Sequence, residues 1–413
     1  MKRNRKGIRK LMKLIEKLKG ITGDLIYSML GLVVMNGVIQ FILYPFFNRE
    51  LGAEAFGGVL TLISIVAIMG STFGIAANYS RMVCYTKGKE AKGDYNLFLL
   101  IIAAISVIVS IAGLMWLGTG DILYFAGYYL LMVMTIFRYY ADVEFRLNVN
   151  YKRFFIYYLL ISLGYLAGMA VYKLTNSWVV AMLIGETLAV AYVVLTGSVF
   201  KRPLLKKSEY IKDNFKSFMI LSGTELIATL ILNADRLMLQ VFAGGVAVTV
   251  FYAATLVGKI VSLVSMPLNG VIIGHLAHYE GKLKSSTFAK ICGVSVVLGL
   301  ILDIFCVAVS YVFVKVMYAD IFEMVVPYFW LANLGQIFYF ISNTLTVILL
   351  RFTEEKYQLY INIVYLIVFL VVAIPMTYIW QLWGMAWALV IVNVAKIFVI
   401  MIIGGLQLKK QAE

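Results

Sequence analysis

The sequence predicts an all-α polytopic membrane protein with about 12 transmembrane helices, arranged as two six-helix lobes related by a pseudo-two-fold repeat. Three observations lead to this prediction. The chain of 413 residues is 62% hydrophobic and only 14% charged, whereas soluble domains carry about 25% charged residues. Apolar runs of about 20 residues, the length that crosses a bilayer, follow one another along the chain. The layout of one apolar hairpin returns near the middle of the sequence.

The apolar runs show no alternation of period two, which favours helices over the strands of a β-barrel. Because the number of predicted helices is even, both termini should lie on the same side, and the distribution of Lys and Arg described below makes that side the cytoplasmic one. The approximate bounds of the predicted helices are 25–47, 55–79, 95–117, 122–146, 154–173, 178–200, 215–242, 247–277, 288–314, 321–350, 357–379 and 383–407.

The net charge of +15 is distributed as this topology requires. Lys and Arg are concentrated in every second connection, and the intervening connections contain only Arg49, Lys173 and Lys315. This asymmetry is the one that the positive-inside rule predicts for a multi-pass protein with cytoplasmic termini. The cations flank apolar runs and form no recognition surface, so we expect membrane lipids and no nucleic acid as partners.

Four segments follow from these patterns. Residues 1–22 form a basic amphipathic segment that is expected to lie on the anionic cytoplasmic leaflet, a frayed basic tail being the alternative. Residues 23–200 form the N-lobe with helices 1–6, and residues 214–413 form the C-lobe with helices 7–12. The charged residues 201–213 form a cytoplasmic linker between the lobes.

The repeat is visible in two turns. Residues 48–58 form a polar, Gly-rich turn between the first two predicted helices, and residues 243–246 form a Gly-rich turn between the seventh and eighth. Gly52 and Gly244 occupy corresponding places, and the turns are separated by nearly half the chain. Such a recurrence is typical of duplicated membrane transporters.

Groups that support catalysis are scarce in the sequence. The connections outside the predicted helices are short, and the sequence contains neither a P-loop nor a nucleophile elbow. His275 and His278 have no third ligand with metal-site spacing. Cys84, Cys292 and Cys306 show no paired spacing and are expected to be packing residues. We therefore predict no enzyme, no catalytic residue, no metal and no cofactor.

Polar residues inside the predicted helices recur at steps of three or four, which places them on one helix face. Stripes of this kind, running through the depth of the membrane, predict the lining of an aqueous path. They comprise Ser222, Glu225, Thr229, Asn233, Arg236 and Gln240 in the seventh helix, Thr255, Lys259, Ser262 and Asn269 in the eighth, Asn36, Gln40, Tyr44 and Asn48 in the first, and Asn333, Gln336 and Asn343 in the tenth.

Charged residues at membrane depth also indicate a hydrated cavity. A charge that faces lipid costs about 2.5–3.5 kcal/mol, so these side chains must face a hydrated cavity or one another. Structural pairing is the alternative to cavity lining, and it fits Arg138–Asp142 and Asp235–Arg236 best. The residues concerned are Arg138, Asp142, Glu186, Glu225, Asp235, Arg236, Lys259, Asp303 and Lys396.

Two hairpins carry a resemblance to a known family. The segment FNRELGAEAFGG (residues 47–58), continued by STFGIAANYSR (71–81), resembles the polysaccharide-export flippases, which transport O-antigen and capsule repeat units and belong to the multidrug/oligosaccharidyl-lipid/polysaccharide transporter superfamily. In the second half, NADRLMLQVFA (233–243) and the following YAA (252–254) are similar to that family's seventh and eighth helices. Thr249 departs from the family, which often has Gly there.

This resemblance implies a flippase that works by alternating access in a bacterial plasma membrane. It would carry an undecaprenyl-pyrophosphate-linked oligosaccharide from the inner to the outer leaflet for polysaccharide biosynthesis, with the polysaccharide polymerase machinery as a partner. Glu225 and Asp235 are the candidate coupling residues, with H⁺ or Na⁺ as the ion. The candidate substrate-binding residues are Arg138, Asn233, Arg236, Gln240, Lys259, Asn36 and Gln40.

Three alternatives remain open on the sequence. The first is a cation-coupled multidrug exporter of the same superfamily, with Glu225 or Asp235 as the cation site. The second is a membrane-embedded glycosyl- or acyltransferase, which the short connections disfavour. The third is a membrane scaffold without transport activity, in which the charges at membrane depth would be dispensable.

Overall fold

The structure is a computed structural model that describes residues 23–24, 26–118, 122–201, 204–263, 269, 272, 281 and 283–410. These residues form helices joined by short connections, and none of them lies in a β-strand. The predicted amphipathic segment 1–22 and the two histidines, His275 and His278, lie outside the described residues.

Within the described residues, ten helices are long and apolar enough to cross a membrane. The predicted all-α membrane fold is therefore confirmed, whereas the count of twelve spans and the cytoplasmic termini stay predictions. The helices are α1 (Ile26–Leu51), α2 (Ala53–Thr86), α3 (Lys92–Trp116), α4 (Ile122–Leu147), α5 (Tyr151–Thr175), α6 (Trp178–Thr196), α7 (Ile211–Leu263), α8 (Ser285–Met317), α9 (Ala319–Leu350) and α10 (Glu355–Lys410).

The two longest helices are interrupted at the points where the sequence predicts turns. In α7 the backbone leaves the helical conformation at Gly244, with a φ of 82°. In α10 it does so at Gln381, with a φ of 47°. Glycine adopts a positive φ without steric cost, so Gly244 suits its turn. Gln381 holds the same sign of φ with a side chain, which is uncommon outside glycine.

Helices α1 and α2 each contain a wide π-helical turn, at Ile39–Leu43 and Gly70–Ile75. In α2 this turn packs against α4. A Cβ atom added to Gly74 would lie 2.5 Å from the carbonyl oxygen of Ile136. Only glycine therefore permits this approach of α2 to α4, and small residues serve the same purpose at many membrane helix contacts.

The contacts of the chain define two compact units. The N-terminal unit consists of Met1–Phe47 and Leu62–Asn233, and the C-terminal unit consists of Asn48–Thr61 and Ala234–Glu413. The turn that follows α1 thus belongs to the C-terminal unit. The predicted lobes, 23–200 and 214–413, describe the internal repeat and stay a prediction.

In the N-terminal unit, α5 and α6 pack through small residues. A Cβ atom added to Gly168 would lie 2.0 Å from the carbonyl oxygen of Ala181, and one added to Gly164 would lie 2.5 Å from Cα of Gly185. The helix backbones are therefore in direct contact, which membrane helices achieve with Gly and Ala.

In the C-terminal unit the two repeated turns contact each other. A Cβ atom added to Gly57 would lie 1.8 Å from the carbonyl oxygen of Gly245. The Glu54 carboxylate accepts hydrogen bonds from the backbone N–H groups of Gly245 (3.3 Å) and Val246 (2.9 Å). Backbone groups exposed by the break in α7 thereby find an acceptor on the other turn.

Candidate functional site

An ion pair joins the two arms of α7 on either side of its break. The Lys259 ammonium donates to Asp235 Oδ2 at 2.5 Å. Residues 24 positions apart would be separated by about 36 Å in a continuous helix, so the contact exists because the chain turns at Gly244. Asp235 is 5% exposed. Its second carboxylate oxygen, Oδ1, has no hydrogen-bond partner within the described residues.

Arg236 adds a second cation to this pair. Its guanidinium lies 5.2 Å from the centre of the Tyr252 ring, within range of a cation–π contact. The sequence favoured Arg236 as the partner of Asp235, whereas in the structure the ammonium that binds Asp235 belongs to Lys259. Asp235, Arg236 and Lys259 together carry one formal negative and two formal positive charges.

Gln240 lies one turn beyond Arg236 along α7. Its side-chain amide contacts the hydroxyl of Thr61 at 3.2 Å, and that hydroxyl is 3.0 Å from the carbonyl oxygen of Gly57. Gln240 is half-buried. The structure thus brings four predicted site residues, Asp235, Arg236, Gln240 and Lys259, into the C-terminal unit.

Arg138, a further predicted site residue, forms a buried ion pair with Glu186 in the N-terminal unit. Both side chains are almost entirely buried, at 4% and 2% exposure. Tyr165 donates a hydrogen bond to Glu186 at 2.5 Å, and the Arg138 guanidinium lies 4.0 Å from the centre of the Tyr139 ring. Glu186 compensates the buried charge of Arg138, which favours a structural role, although Nη1 of Arg138 has no hydrogen-bond partner within the described residues.

The pairing of Arg138 with Asp142, which the sequence favoured, is wrong. Asp142 is bound by the Arg146 guanidinium at 3.0 and 3.1 Å, by the Tyr158 hydroxyl at 3.0 Å and by the amide of Asn78. Residues four apart share a helix face, but the carboxylate that pairs with Arg138 belongs to Glu186 on α6.

The remaining predicted residues lie in the N-terminal unit. Asn36 Nδ2 donates to the carbonyl oxygen of Leu32 at 2.8 Å, and Asn233 Nδ2 donates to that of Thr229 at 2.9 Å. Both amides therefore satisfy backbone carbonyls one turn earlier in their own helices. Gln40 and Glu225 are half-buried. A role of these residues in binding substrate or a coupling ion stays a prediction.

Sequence reasoning assigned no site role to Lys396, which is a buried cation of α10. It is 4% exposed, and its ammonium donates to Asn343 Oδ1 at 2.7 Å. The same ammonium lies 4.5 Å from the centre of the Tyr365 ring and 5.6 Å from that of Tyr339. No carboxylate pairs with Lys396 within the described residues. The available signal was a single lysine inside the last apolar run.

Around the end of α2 and the beginning of α3, the N-terminal unit contains a cavity of about 580 Å³. Beside it, the Lys89 ammonium donates to Asp213 Oδ2 at 2.7 Å, and this hydrogen bond raises the pKa of Lys89. Both groups are exposed, so the pair adds little to stability. The cavity is lined by Arg81, Glu90, Ala91, Lys92, Gly93, Lys206, Lys207, Ser208, Glu209 and Tyr210.

No group of three His, Cys, Asp or Glu side chains that could hold a metal ion occurs in the part of the chain that the structure describes. Cys84, Cys292 and Cys306 are free thiols, and all three are buried. The polar groups described above are ion pairs and hydrogen-bond donors within the apolar helices. Such groups can bind a charged or polar solute.

Comparison with known proteins identifies relatives by structure alone. No family model matches the sequence, and no curated protein matches it. An inward-facing multidrug-resistance MATE transporter of the MOP superfamily superimposes with a TM-score of 0.68 at 12% identity, covering 93% of this chain and 98% of the transporter. An outward-facing MATE transporter gives a TM-score of 0.60 at 14% identity, covering 95% of this chain and 96% of that one.

A third solved structure is a MOP superfamily transporter from Pyrococcus furiosus, described as having a binding pocket of reverse polarity that suggests a different function. Its TM-score is 0.59 at 14% identity, with 96% of each chain covered. At these identities the likeness is one of fold. The chain thus has the fold of the MATE transporters, which is the fold expected from the flippase resemblance, and none of the three descriptions names a polysaccharide flippase.

Proposed function

We propose that the protein is a secondary transporter that exports an amphipathic solute by alternating access and exchanges it for an inward-moving cation. The fold that it shares with MATE transporters in inward-facing and outward-facing conformations supports this function. A transporter of this kind requires polar groups at membrane depth that bind its cargo. Asp235, Arg236 and Lys259 are such groups. Of the functions considered from the sequence, the multidrug exporter is the one that the structural neighbours support.

The Asp235–Lys259 pair is the observation on which the proposal rests. One carboxylate oxygen binds Lys259, and the other has no partner within the described residues. A proton, a sodium ion or an organic ammonium group that reaches Asp235 competes with Lys259 for the same negative charge. Because one carboxylate neutralises one positive charge at a time, cargo and coupling cation exclude each other. Mutual exclusion at one site is the condition for exchange transport.

The test uses purified protein in liposomes that contain a fluorescent organic cation, with an imposed gradient of H⁺ or Na⁺. Asp235→Asn keeps the shape of the side chain and removes its charge. We expect gradient-driven efflux to fall roughly ten-fold or more, corresponding to about 1.4 kcal/mol or more in the barrier. Asp213→Asn, which removes an exposed carboxylate outside the pair, is the matched control and should transport normally.

A second variant separates loss of function from loss of fold. Asp235→Asn leaves the half-buried Lys259 ammonium without its counter-ion, which should lower the free energy of unfolding. The double variant Asp235→Asn/Lys259→Met removes both charges and should restore thermal stability without restoring transport. Gradient-driven efflux at the wild-type rate in the double variant would refute the proposed role of the pair.

The flippase of lipid-linked oligosaccharides is a second candidate function, and the excess of cations favours it. Lys259 and the neighbouring Arg236 place two cations near one another, and Lys396 has no carboxylate partner within the described residues. A pyrophosphate group needs cationic donors in place of water. Its prenyl chain can stay in the lipid while the charged head group crosses.

Complementation distinguishes the two candidates. A bacterial strain without its own polysaccharide flippase regains surface polysaccharide if the second candidate is correct. The double variant Arg236→Met/Lys259→Met should then fail to restore it. Resistance to organic cations that persists in a strain without polysaccharide genes supports the first candidate.

A further inference from the structure

We propose that Asp303, in the middle of α8, is a proton-binding site of the C-terminal unit, and that it exchanges its proton only when α8 separates from α9. The observations that support this site are the burial of the carboxyl group, its lack of partners and the packing on both sides of it along α8.

The outer face of α8 is apolar and its inner face is not. Val297, Ile301 and Phe305 are 57%, 59% and 63% exposed, as expected for side chains that face lipid. The opposite face is a buried stripe in which Asp303 has no exposed surface at all. The acid is therefore turned inward, away from lipid. The stripe consists of Phe288, Cys292, Gly299, Asp303, Cys306, Ser310 and Val314.

Neither carboxyl oxygen of Asp303 has a hydrogen-bond partner, and no cation pairs with it, within the described residues. A charged carboxylate in such surroundings lacks both the solvation of water and the compensation of an ion pair. The neutral carboxylic acid removes that penalty by binding one proton. Asp235 differs in this respect, because Lys259 supplies a charged donor.

The titratable groups on the surrounding helices do not change this conclusion. On α8 itself Cys306 lies one turn away, and Tyr311 is 46% exposed. Away from its ends, α9 offers Tyr339, and α10 offers Tyr365, Tyr378 and Lys396. Lys396 is the cation of this group, and its ammonium binds Asn343.

Tight packing on both sides of Asp303 closes the site. A Cβ atom added to Gly299 would lie 2.3 Å from Cδ1 of Ile341, so α8 and α9 are in close contact one turn before Asp303. Two turns after it, Asn333 Nδ2 donates to Ser310 Oγ at 3.1 Å. Water reaches the carboxyl group only if these contacts open. The carboxylic acid then gives its proton to water and remains as a carboxylate. Before the contacts close again the carboxylate takes a proton back from hydronium, so that the closed site again holds the acid.

The same interface reaches the Asp235–Lys259 pair. Asn333 Oδ1 accepts a hydrogen bond at 2.8 Å from the backbone N–H of Gly258, the residue before Lys259. Asn333 thus contacts both α8 and the arm of α7 that supplies Lys259, so a shift of Asn333 on opening would move the backbone beside Lys259. This link to cargo exchange rests on the proposed function, whereas proton binding at Asp303 does not.

Infrared spectroscopy of the full-length protein in lipid nanodiscs tests the site. With aspartate labelled by ¹³C at the carboxyl carbon, the wild type should show a protonated aspartate band at neutral pH that exchanges slowly in D₂O. Asp303→Asn, which has nearly the same shape, should lose this band, and Glu225→Gln and Asp213→Asn should keep it. If Asp303→Asn does not fold, Asp303→Glu replaces it, because this variant keeps a carboxyl group that can bind the proton but carries no aspartate label, so the labelled band should again disappear.

Each possible result has a defined meaning. Absence of a protonated aspartate band in the wild type, or its persistence in folded Asp303→Asn, overturns the proposal. Loss of the band on addition of Na⁺ identifies a metal-cation site and also overturns it. The measurement involves no cargo, so failure of the Asp235 variants to alter transport leaves it unaffected, and the two proposals fail separately.

Discussion

The side-chain amide Nδ2 of Asn48 donates to both carboxylate oxygens of Asp320, at 3.0 and 2.8 Å, although the two residues are 272 positions apart in sequence. Asn48 is fully buried. The end of α1 is thereby fixed to the beginning of α9 within the C-terminal unit. The sequence placed Asn48 in a polar stripe of the first helix, and its partner comes from the second half of the chain.

Replacing Asn48 tests the strength of this connection. A hydrogen bond to a charged group contributes about 1.5–3 kcal/mol, so Asn48→Ala should lower the free energy of unfolding by a similar amount. Thermal or denaturant unfolding followed by intrinsic fluorescence measures the change. Asn148→Ala is the control, because Asn148 is exposed and bonds only within its own helix turn. Equal stability of both variants would contradict the assigned role.

The contact between the repeated turns predicts a steric effect at Gly57. A methyl group at this position would lie 1.8 Å from the carbonyl oxygen of Gly245, which is backbone and cannot rotate away. Gly57→Ala should therefore lower the free energy of unfolding by about 1–3 kcal/mol. Gly223→Ala is the matched control, since nothing lies within 4 Å of its added Cβ. There, alanine should be neutral or stabilising by up to about 1 kcal/mol.

The Arg138–Glu186 pair predicts opposite outcomes for single and double variants. Removing one partner leaves a buried charge and should cost about 3–5 kcal/mol, so Glu186→Met should unfold at much lower denaturant concentration. Arg138→Met/Glu186→Met should recover most of that loss. Transport by the double variant checks the sequence-based prediction: normal cargo export means that Arg138 is structural, and abolished export with normal stability means that it binds substrate.

We expect removal of the Lys396 charge to leave the protein as stable as before or to stabilise it. Its ammonium is buried without a carboxylate partner within the described residues, so Lys396→Met should leave the free energy of unfolding unchanged or raise it by about 1 kcal/mol or more. Lys409→Met, at the exposed end of α10, is the control. Weaker export of an anionic lipid-linked cargo by a stable Lys396→Met protein would favour the second candidate function. Marked destabilisation would mean that a counter-ion accompanies Lys396 in the folded protein.

The helices were predictable because length and hydropathy are local properties of the sequence. The break at Gly244 was predictable as well, since a Gly-rich turn separates two apolar runs. The start of α9 was less predictable from the sequence. The sequence suggested one helix from residue 321, whereas the chain forms short 3₁₀ turns at Ala319–Ile321 and Val326–Tyr328 before the regular helix begins at Phe329. Pro327, which has no N–H to donate, lies in the second of these turns.

The partners of the charged residues were not predictable to the same extent. Asp142 was the obvious candidate for Arg138 because it lies one helical turn away, yet the partner is Glu186, which is 48 residues distant. The sequence identified Asp235 and Lys259 as charges at membrane depth but could not pair them, because their contact depends on how the arms of α7 meet. That Asp303 has no hydrogen-bond partner within the described residues depends on all the side chains around it, so no local sequence pattern could predict it.

The chain crosses between its two compact units at residues 47–48, 61–62 and 233–234. Each crossing lies inside a helix, in α1, α2 and α7 respectively. Any reorientation of one unit against the other would therefore require these three helices to bend, because no loop connects the units at the crossings. The peptide hydrogen bonds around the three crossings resist such bending, so in the proposed transporter substitutions there should alter the rate of the conformational change without removing any charged side chain.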